Sequence, residues 1–183
     1  MLSQESKREL VRIAREAISR ALEFRAASKT RTHDPALSVS GGAFVTLSIG
    51  SQLRGCIGYI ESTLPLAEVV AEVAVKAALE DPRFPPLTRS EFQKTSIEVS
   101  ILSPLDLVRD VEEIQVGIHG LLLELGSRRG LLLPQVATEY RWDRTAFLNA
   151  TARKAGLPED AWQRPDARIH RFSAEVIEEA DLT

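Results

Sequence analysis

Two Gly-Ser turns, Gly50-Ser51 and Gly126-Ser127, lie 76 positions apart, and each joins two segments rich in strand-forming residues. A glycine turn between alternating apolar runs is a hairpin signal, so the chain is constrained to organise around antiparallel strand pairs. The first hairpin runs from Ala43–Ile49 into Leu53–Ile60 and the second from His119–Leu125 into Arg129–Leu133. Helical sequence follows each, and then a return strand, Ser96–Leu102 in the first half and Arg168–Val176 in the second. Arg54-Gly55 recurs as Arg129-Gly130 at an offset of 75, and Ser96-Ile97-Glu98-Val99 as Ser173-Ala174-Glu175-Val176 at 77. These offsets predict an α+β fold, one mostly antiparallel sheet with packed helices, built by internal duplication of a β-β-α-β unit. No linker-like stretch interrupts the chain, so it reads as a single domain with two interleaved halves, about 1–104 and 105–183.

Apolar residues at Leu10, Ile13, Ala14, Ala17, Ile18, Ala21 and Leu22 fall on one helical face, predicting a helix to about Arg25, with Ser6 and Glu9 as its capping box. A polar run from Ser28 to Asp34 follows. Pro65 opens a second helix through Val69, Val70, Val73 and Ala77, which Asp81-Pro82 ends. Arg83-Phe84-Pro85-Pro86-Leu87 is too rich in proline for helix or central strand and reads as an ordered loop that packs Phe84. Asp143 is the expected N-cap of a helix through Lys154, closed by Gly156.

Composition narrows the function classes. A chain of 183 residues buries roughly 70% of its unfolded surface. With 44% apolar and 27% charged residues it belongs with ordinary globular proteins. A net charge of −3 without a basic stripe argues against nucleic acid and anionic membrane surfaces. Cys56 is the only cysteine, which excludes an internal disulfide and fits the reducing cytoplasm. No stretch approaches the length of a membrane span, and no zinc, dithiol, Walker or dinucleotide pattern occurs, so neither metal nor cofactor is expected.

Chemistry concentrates in Leu53-Arg54-Gly55-Cys56-Ile57-Gly58. Strand alternation places Arg54, Cys56 and Ile60 on one face and Leu53, Ile57 and Tyr59 on the other. Gly55 and Gly58 mark a bulge or a close approach by backbone or ligand. If the return strand lies in the same sheet, Glu98 and Ser100 stand beside Arg54 and Cys56. Two readings of this cluster are open. In one, Arg54 stabilises the Cys56 thiolate and Glu98 orients Arg54. In the other, Cys56 is a small buried hydrophobe and Arg54–Glu98 a structural ion pair. His119, between Gly117 and Gly120, is either a base near the site or a local hydrogen-bond partner. Gln135 and Glu139, four apart, share a helix face that is either a polar patch of the site or a solvated surface. Trp142 is a candidate core anchor. Asp81 and Arg83 either serve the site or lock the proline loop.

Six blocks in order, Leu53–Gly58, Asp81-x-Arg83-Phe84-Pro85-Pro86, His119-Gly120, Leu133-Pro134-Gln135-Val136-Ala137-x-Glu139, Trp142-Asp143 and Lys154-Ala155-Gly156, resemble the AMMECR family, which includes the AmmeMemoRadiSam system protein A of prokaryotes. The resemblance implies an α+β fold with an internal repeat, and a radical SAM protein and a Memo-like protein as partners. It implies Arg54 and Cys56 as functional positions, and His119, Gln135 and Glu139 as motif positions. The expectation is therefore an accessory protein of that system, binding or modifying a small molecule or partner protein at a cleft lined by Arg54, Cys56 and Glu98. Gly55, Gly58, Arg83, Phe84, Gln135 and Glu139 would contribute to binding, and His119 would be the base held in reserve. The rival is a non-catalytic scaffold that docks a partner through the Arg54–Cys56 strand and the Phe84-Pro85-Pro86 loop.

Overall fold

A computed structural model describes residues 1–24 and 32–182. The expected helix end at Arg25 and the polar run from Ser28 to Arg31 lie outside the described residues. The chain forms two units, one of Met1–Leu102 with Glu175–Thr183 and one of Ser103–Ala174.

The first unit holds α1 (Gln4–Phe24), β1 (Ala43–Ile49), β2 (Gln52–Tyr59), α2 (Leu66–Leu79), α3 (Arg89–Phe92), β3 (Thr95–Leu102) and β8 (Ala174–Glu178, whose first residue falls in the other unit). Its sheet order is β2-β1-β3-β8. Val45, Leu47, Ile97 and Val99 are essentially inaccessible to solvent and meet Leu10 and Ile18 of α1 and Val70 and Val73 of α2 in one core. Each such side chain contributes roughly 1.5–3 kcal/mol over its exposed state. The start of α1 differs from the expected capping box. Ser3 Oγ accepts the Ser6 amide at 3.0 Å, and Glu9 instead binds Arg12 one turn on.

The second unit holds β4 (Asp106–Leu107), β5 (Gly120–Leu125), β6 (Arg128–Leu132), α4 (Pro134–Glu139), α5 (Arg144–Lys154) and β7 (Arg168–Phe172), with sheet order β4-β7-β5-β6. Leu121, Leu123 and Ile169 pack with Phe147 and Leu148 of α5 in a separate core. Asp143 caps α5 by accepting the Ala146 amide at 2.7 Å, and Gly156 follows the helix at φ 70°.

The fold is α+β with antiparallel hairpins and packed helices, and two points depart from expectation. The strands form two four-stranded sheets instead of one. The expected last strand Arg168–Val176 is broken at Ser173, so that β7 serves the second sheet and β8 the first. The Ser173–Val176 match to Ser96–Val99 therefore falls outside the return strand. A geometric parallel does exist at the other match, between Gly55 and Gly130. Across the first sheet Gly55 pairs with Leu47 and Leu47 with Ile97; across the second Gly130 pairs with Leu123 and Leu123 with Ile169. Gly55 lies under the last turn of α2, and Gly130 under the end of α5. A Cβ on Gly55 would stand 2.1 Å from the Ala77 carbonyl oxygen, and one on Gly130 2.3 Å from the Ala155 nitrogen.

Candidate functional site

The register of β2 against β1 slips between Leu47 and Ser48: Leu47 pairs with Gly55 but Ser48 with Leu53, leaving Arg54 as the extra residue of a β-bulge. Strict alternation fails there. Leu53 moves to the face that Cys56 occupies, where it is 42% exposed. Arg54 turns into the protein, with its side chain 10% exposed.

Arg54 does not meet Glu98. Its Nε and Nη2 donate to Glu91 Oε1 and Oε2 at 3.0 and 3.2 Å, a two-point fork that fixes the guanidinium plane. Glu91 is held in turn by α3, whose capping box directs the amide and hydroxyl of Thr88 onto Oε2 at 2.9 and 2.8 Å. The Arg54 guanidinium, helped by Thr88, holds the Glu91 carboxyl down at about 2. Glu98 is excluded by topology, because β1 lies between β2 and β3. It stands opposite Thr46, which is also the partner of Cys56, so the row across the sheet is Cys56, Thr46, Glu98. Thr46 Oγ1 donates to Cys56 Sγ at 3.4 Å, and Ser100 Oγ to Glu98 at 3.5 Å.

Because β2 is an edge strand, the polar backbone groups of Cys56 that face away from β1 have no neighbouring strand. The loop after α2 supplies the missing partners. Asp81 Oδ2 accepts the Cys56 amide at 2.8 Å, and Arg83 Nη2 donates to the Cys56 carbonyl at 3.3 Å. Asp81 is buried and also accepts from the Arg83 amide, Nε and Nη2 at 3.1, 3.0 and 2.7 Å. Arg83 above all, with the amides of Cys56 and Arg83 itself, keeps the Asp81 carboxyl far below the usual carboxylate range against the opposing effect of burial. Asp81 and Arg83 thus do lock the proline loop, and they lock it onto the residue of interest. Phe84 completes the cluster: the Arg54 and Arg83 guanidinium carbons lie 5.8 and 5.5 Å from its ring centroid, within cation–π range. The guanidinium carried next to Cys56 is therefore that of Arg83, whose side chain is 54% exposed.

The close approaches signalled by the two glycines come from the protein itself. Gly55 admits the backbone of α2, and Gly58 admits the Phe44 ring, whose nearest carbon would sit 2.2 Å from an added Cβ.

His119, Gln135 and Glu139 belong to the second unit, whereas Arg54, Cys56, Arg83, Phe84 and Glu98 belong to the first. His119 precedes β5, and its Nδ1 accepts the Gln115 amide at 3.0 Å, so the neutral ring carries its proton on Nε2 and has no free basic nitrogen. Burial, then the Arg171 guanidinium, lowers its pKa, with Asp106 opposing. Gln135 and Glu139 stand at the two ends of the six-residue α4, the first half-buried and the second exposed. Among the described residues no group of three or more His, Cys, Asp or Glu side chains could hold a metal ion. No described helix is long and apolar enough to cross a membrane. The sequence reading passed over Glu91, although Thr88-x-x-Glu91 carries the capping-box pattern that places it, and passed over Thr46.

The family model described as AMMECR1 matches residues 11–177. A protein of Methanothermobacter thermautotrophicus is 44% identical over 188 residues, covering 97% of this chain and 96% of that protein. A Methanopyrus kandleri protein is 44% identical over 181 residues, covering 94% and 87%. The crystal structure of an uncharacterized Pyrococcus horikoshii protein matches with a TM-score of 0.91 at 38% identity, covering 96% of this chain and 92% of that one.

Proposed function

The chain belongs to the AMMECR1 family, and from that premise we propose that it is a cytoplasmic accessory protein of a radical SAM- and Memo-linked system that recognises a protein partner without covalent chemistry. The recognition surface is the Cys56 segment with Arg83 and Phe84, and the radical SAM protein or the Memo-like protein is the partner. One observation carries this reading: both outward-facing backbone groups of Cys56 are held by the Asp81–Arg83 pair. The segment is therefore a rigid surface, and rigidity lowers the ordering cost of binding. It is also charge-balanced, because Arg54 is matched by Glu91 and Arg83 by Asp81. A neutral surface with an exposed guanidinium edge beside an aromatic ring suits a polypeptide better than a phosphate-rich ligand.

The covalent alternative has less support. A nucleophilic thiol needs a positioned base. Thr46 is the hydrogen-bond partner of Cys56 Sγ, and the Nδ1 of His119 is committed to Gln115. The deciding experiment is co-purification of the system's proteins with Cys56→Ser and with the double variant Arg83→Ala/Phe84→Ala. Recognition predicts that Cys56→Ser retains the partner and the double variant loses it while both stay folded. Loss of system activity in Cys56→Ser with partner capture intact would establish covalent chemistry instead.

A further inference from the structure

The second unit carries an arrangement that recognition through Cys56 does not use. At the end of α4 the Trp142 amide reaches back to the Ala137 carbonyl at 2.8 Å and the Arg141 amide to the Thr138 carbonyl at 3.1 Å. Between those turns Arg141 adopts φ 53°, and it is the one non-glycine residue with positive φ among the described residues. Helices that stop this way normally place glycine at that position, because a side chain there meets the following carbonyl. Here the cost is accepted and a guanidinium is kept.

The reversal brings together two aromatic rings that are two residues apart. Tyr140 and Trp142 stack with centroids 4.8 Å apart and planes inclined by 15°. Trp142 packs against the core of this unit, while Tyr140 is 65% exposed. The inner ring is anchored and holds the outer one, which presents its other face to solvent. A tyrosine backed in this way has little rotamer freedom left to lose on binding. Arg141 is exposed, and its guanidinium pairs with no acid among the described residues. Of the neighbouring carboxylates, Asp143 is committed to the Ala146 amide, and Glu139 is exposed on α4. The turn before β5 abuts α4, since a Cβ on Gly117 would lie 3.0 Å from Thr138 Cγ2, and it carries Ile118, itself 57% exposed.

We propose that Tyr140, backed by Trp142 and flanked by Arg141, is a stacking platform for a planar heteroaromatic ring that carries an anionic group, a ligand of the nucleotide class. The ring lies on the open face of Tyr140, and the anionic group pairs with Arg141. The surface is separate from the Cys56 segment in sequence and in unit, so this proposal does not depend on that one.

The test is calorimetric titration of the full chain with adenosine monophosphate, with adenosine and inorganic phosphate as comparison probes. Indole N–H signals are followed by NMR, since the chain has two tryptophans, Trp142 and Trp162. Saturable binding that moves the Trp142 signal and leaves that of Trp162 in place is expected. Tyr140→Leu should weaken the nucleotide about tenfold, the loss of one stacking contact. Arg141→Gly removes the conformational cost, so it should melt no lower than the parent while losing the preference for the nucleotide over adenosine. No saturable binding at millimolar nucleotide, or binding that Tyr140→Leu leaves unchanged, overturns the platform. Adenosine binding as tightly as the nucleotide overturns the anionic contact, and phosphate alone binding as tightly overturns the stacking.

Discussion

Replacing Asp81 by asparagine keeps the side chain's shape and removes its charge, which isolates what holds the loop to the strand. Four donors converge on the carboxylate, two at each oxygen: the Arg83 amide and Nε at Oδ1, and the Cys56 amide and Arg83 Nη2 at Oδ2. In Asp81→Asn one oxygen becomes an NH2 group, so whichever way the amide turns, two donors face a donor. Removing one partner of a buried ion pair costs about 3–5 kcal/mol. The Arg83 side chain is 54% exposed and recovers part of its loss from water, which places the expected cost near the lower end, about 3 kcal/mol. For a chain of this size that lowers Tm by roughly 6–12 °C. The pH dependence supplies a second check. The folded-state carboxyl titrates far below its unfolded value of about 3.9, so its stabilisation is complete above about pH 4 and is lost as pH falls through the folded value. Urea and thermal unfolding of both proteins across that range should show a gap that is constant at neutral pH and closes in acid. An unchanged Tm, or a gap of the same size at every pH, would refute the clamp.

Gly55→Ala places a Cβ 2.1 Å from the Ala77 carbonyl, and since neither backbone can yield cheaply, a loss of about 3 kcal/mol or more is expected in urea unfolding; Gly50→Ala, which meets no neighbour but sits at φ 60°, should cost only about 1 kcal/mol. Glu91→Gln should lower Tm at neutral pH, and the difference from the parent should shrink as pH falls below the ordinary glutamate value of 4.5 toward about 2, because the carboxylate's contribution is lost over that window. His119 has its pKa lowered on folding, by burial and then by Arg171, so its neutral form is favoured: stability relative to His119→Asn should be full above the unfolded imidazole value of about 6.5 and decline as pH falls through the folded one, with a pH-independent difference counting against the burial of a neutral ring.

The hairpins, helices and loop were legible in the sequence wherever a local rule decides the outcome. Gly50-Ser51 and Gly126-Ser127 mark turns whose glycines both adopt φ 60°, and the apolar spacing from Leu10 to Leu22 follows the helical repeat. The site was legible in its members more than in its partnerships. Alternation assigned Arg54 to the face of Cys56 because counting by twos assumes an unbroken ladder, and one extra residue re-aims the side chain. Glu98 was chosen for Arg54 from its polar neighbours, but strand order is a property of the whole sheet and put β1 between them. Glu91, the true partner, lies 37 residues from Arg54, and only its bond to Thr88 was visible locally. The division into two sheets was hidden for the same reason, since nothing at Ser173 announces that the strand after it joins a different set of neighbours.

The placement of β8 also bears on how the chain is made. The first 102 residues include α1, α2 and three strands of the first sheet, yet that unit also takes in Glu175–Thr183. The Leu2 amide binds Glu175 across 173 positions, Arg15 binds Glu179 across 164, and the Ile97 amide of β3 binds Glu179 as well. A nascent chain emerging from the ribosome therefore exposes the unpaired edge of β3 until Glu175–Glu179 have been made. Contacts of such span close slowly, and an open edge invites pairing with other chains. Translation that stops short of Glu175, or a stop codon there, would leave the first unit nearly all synthesised and its sheet unclosed, so aggregation of the truncated product is the expected hazard.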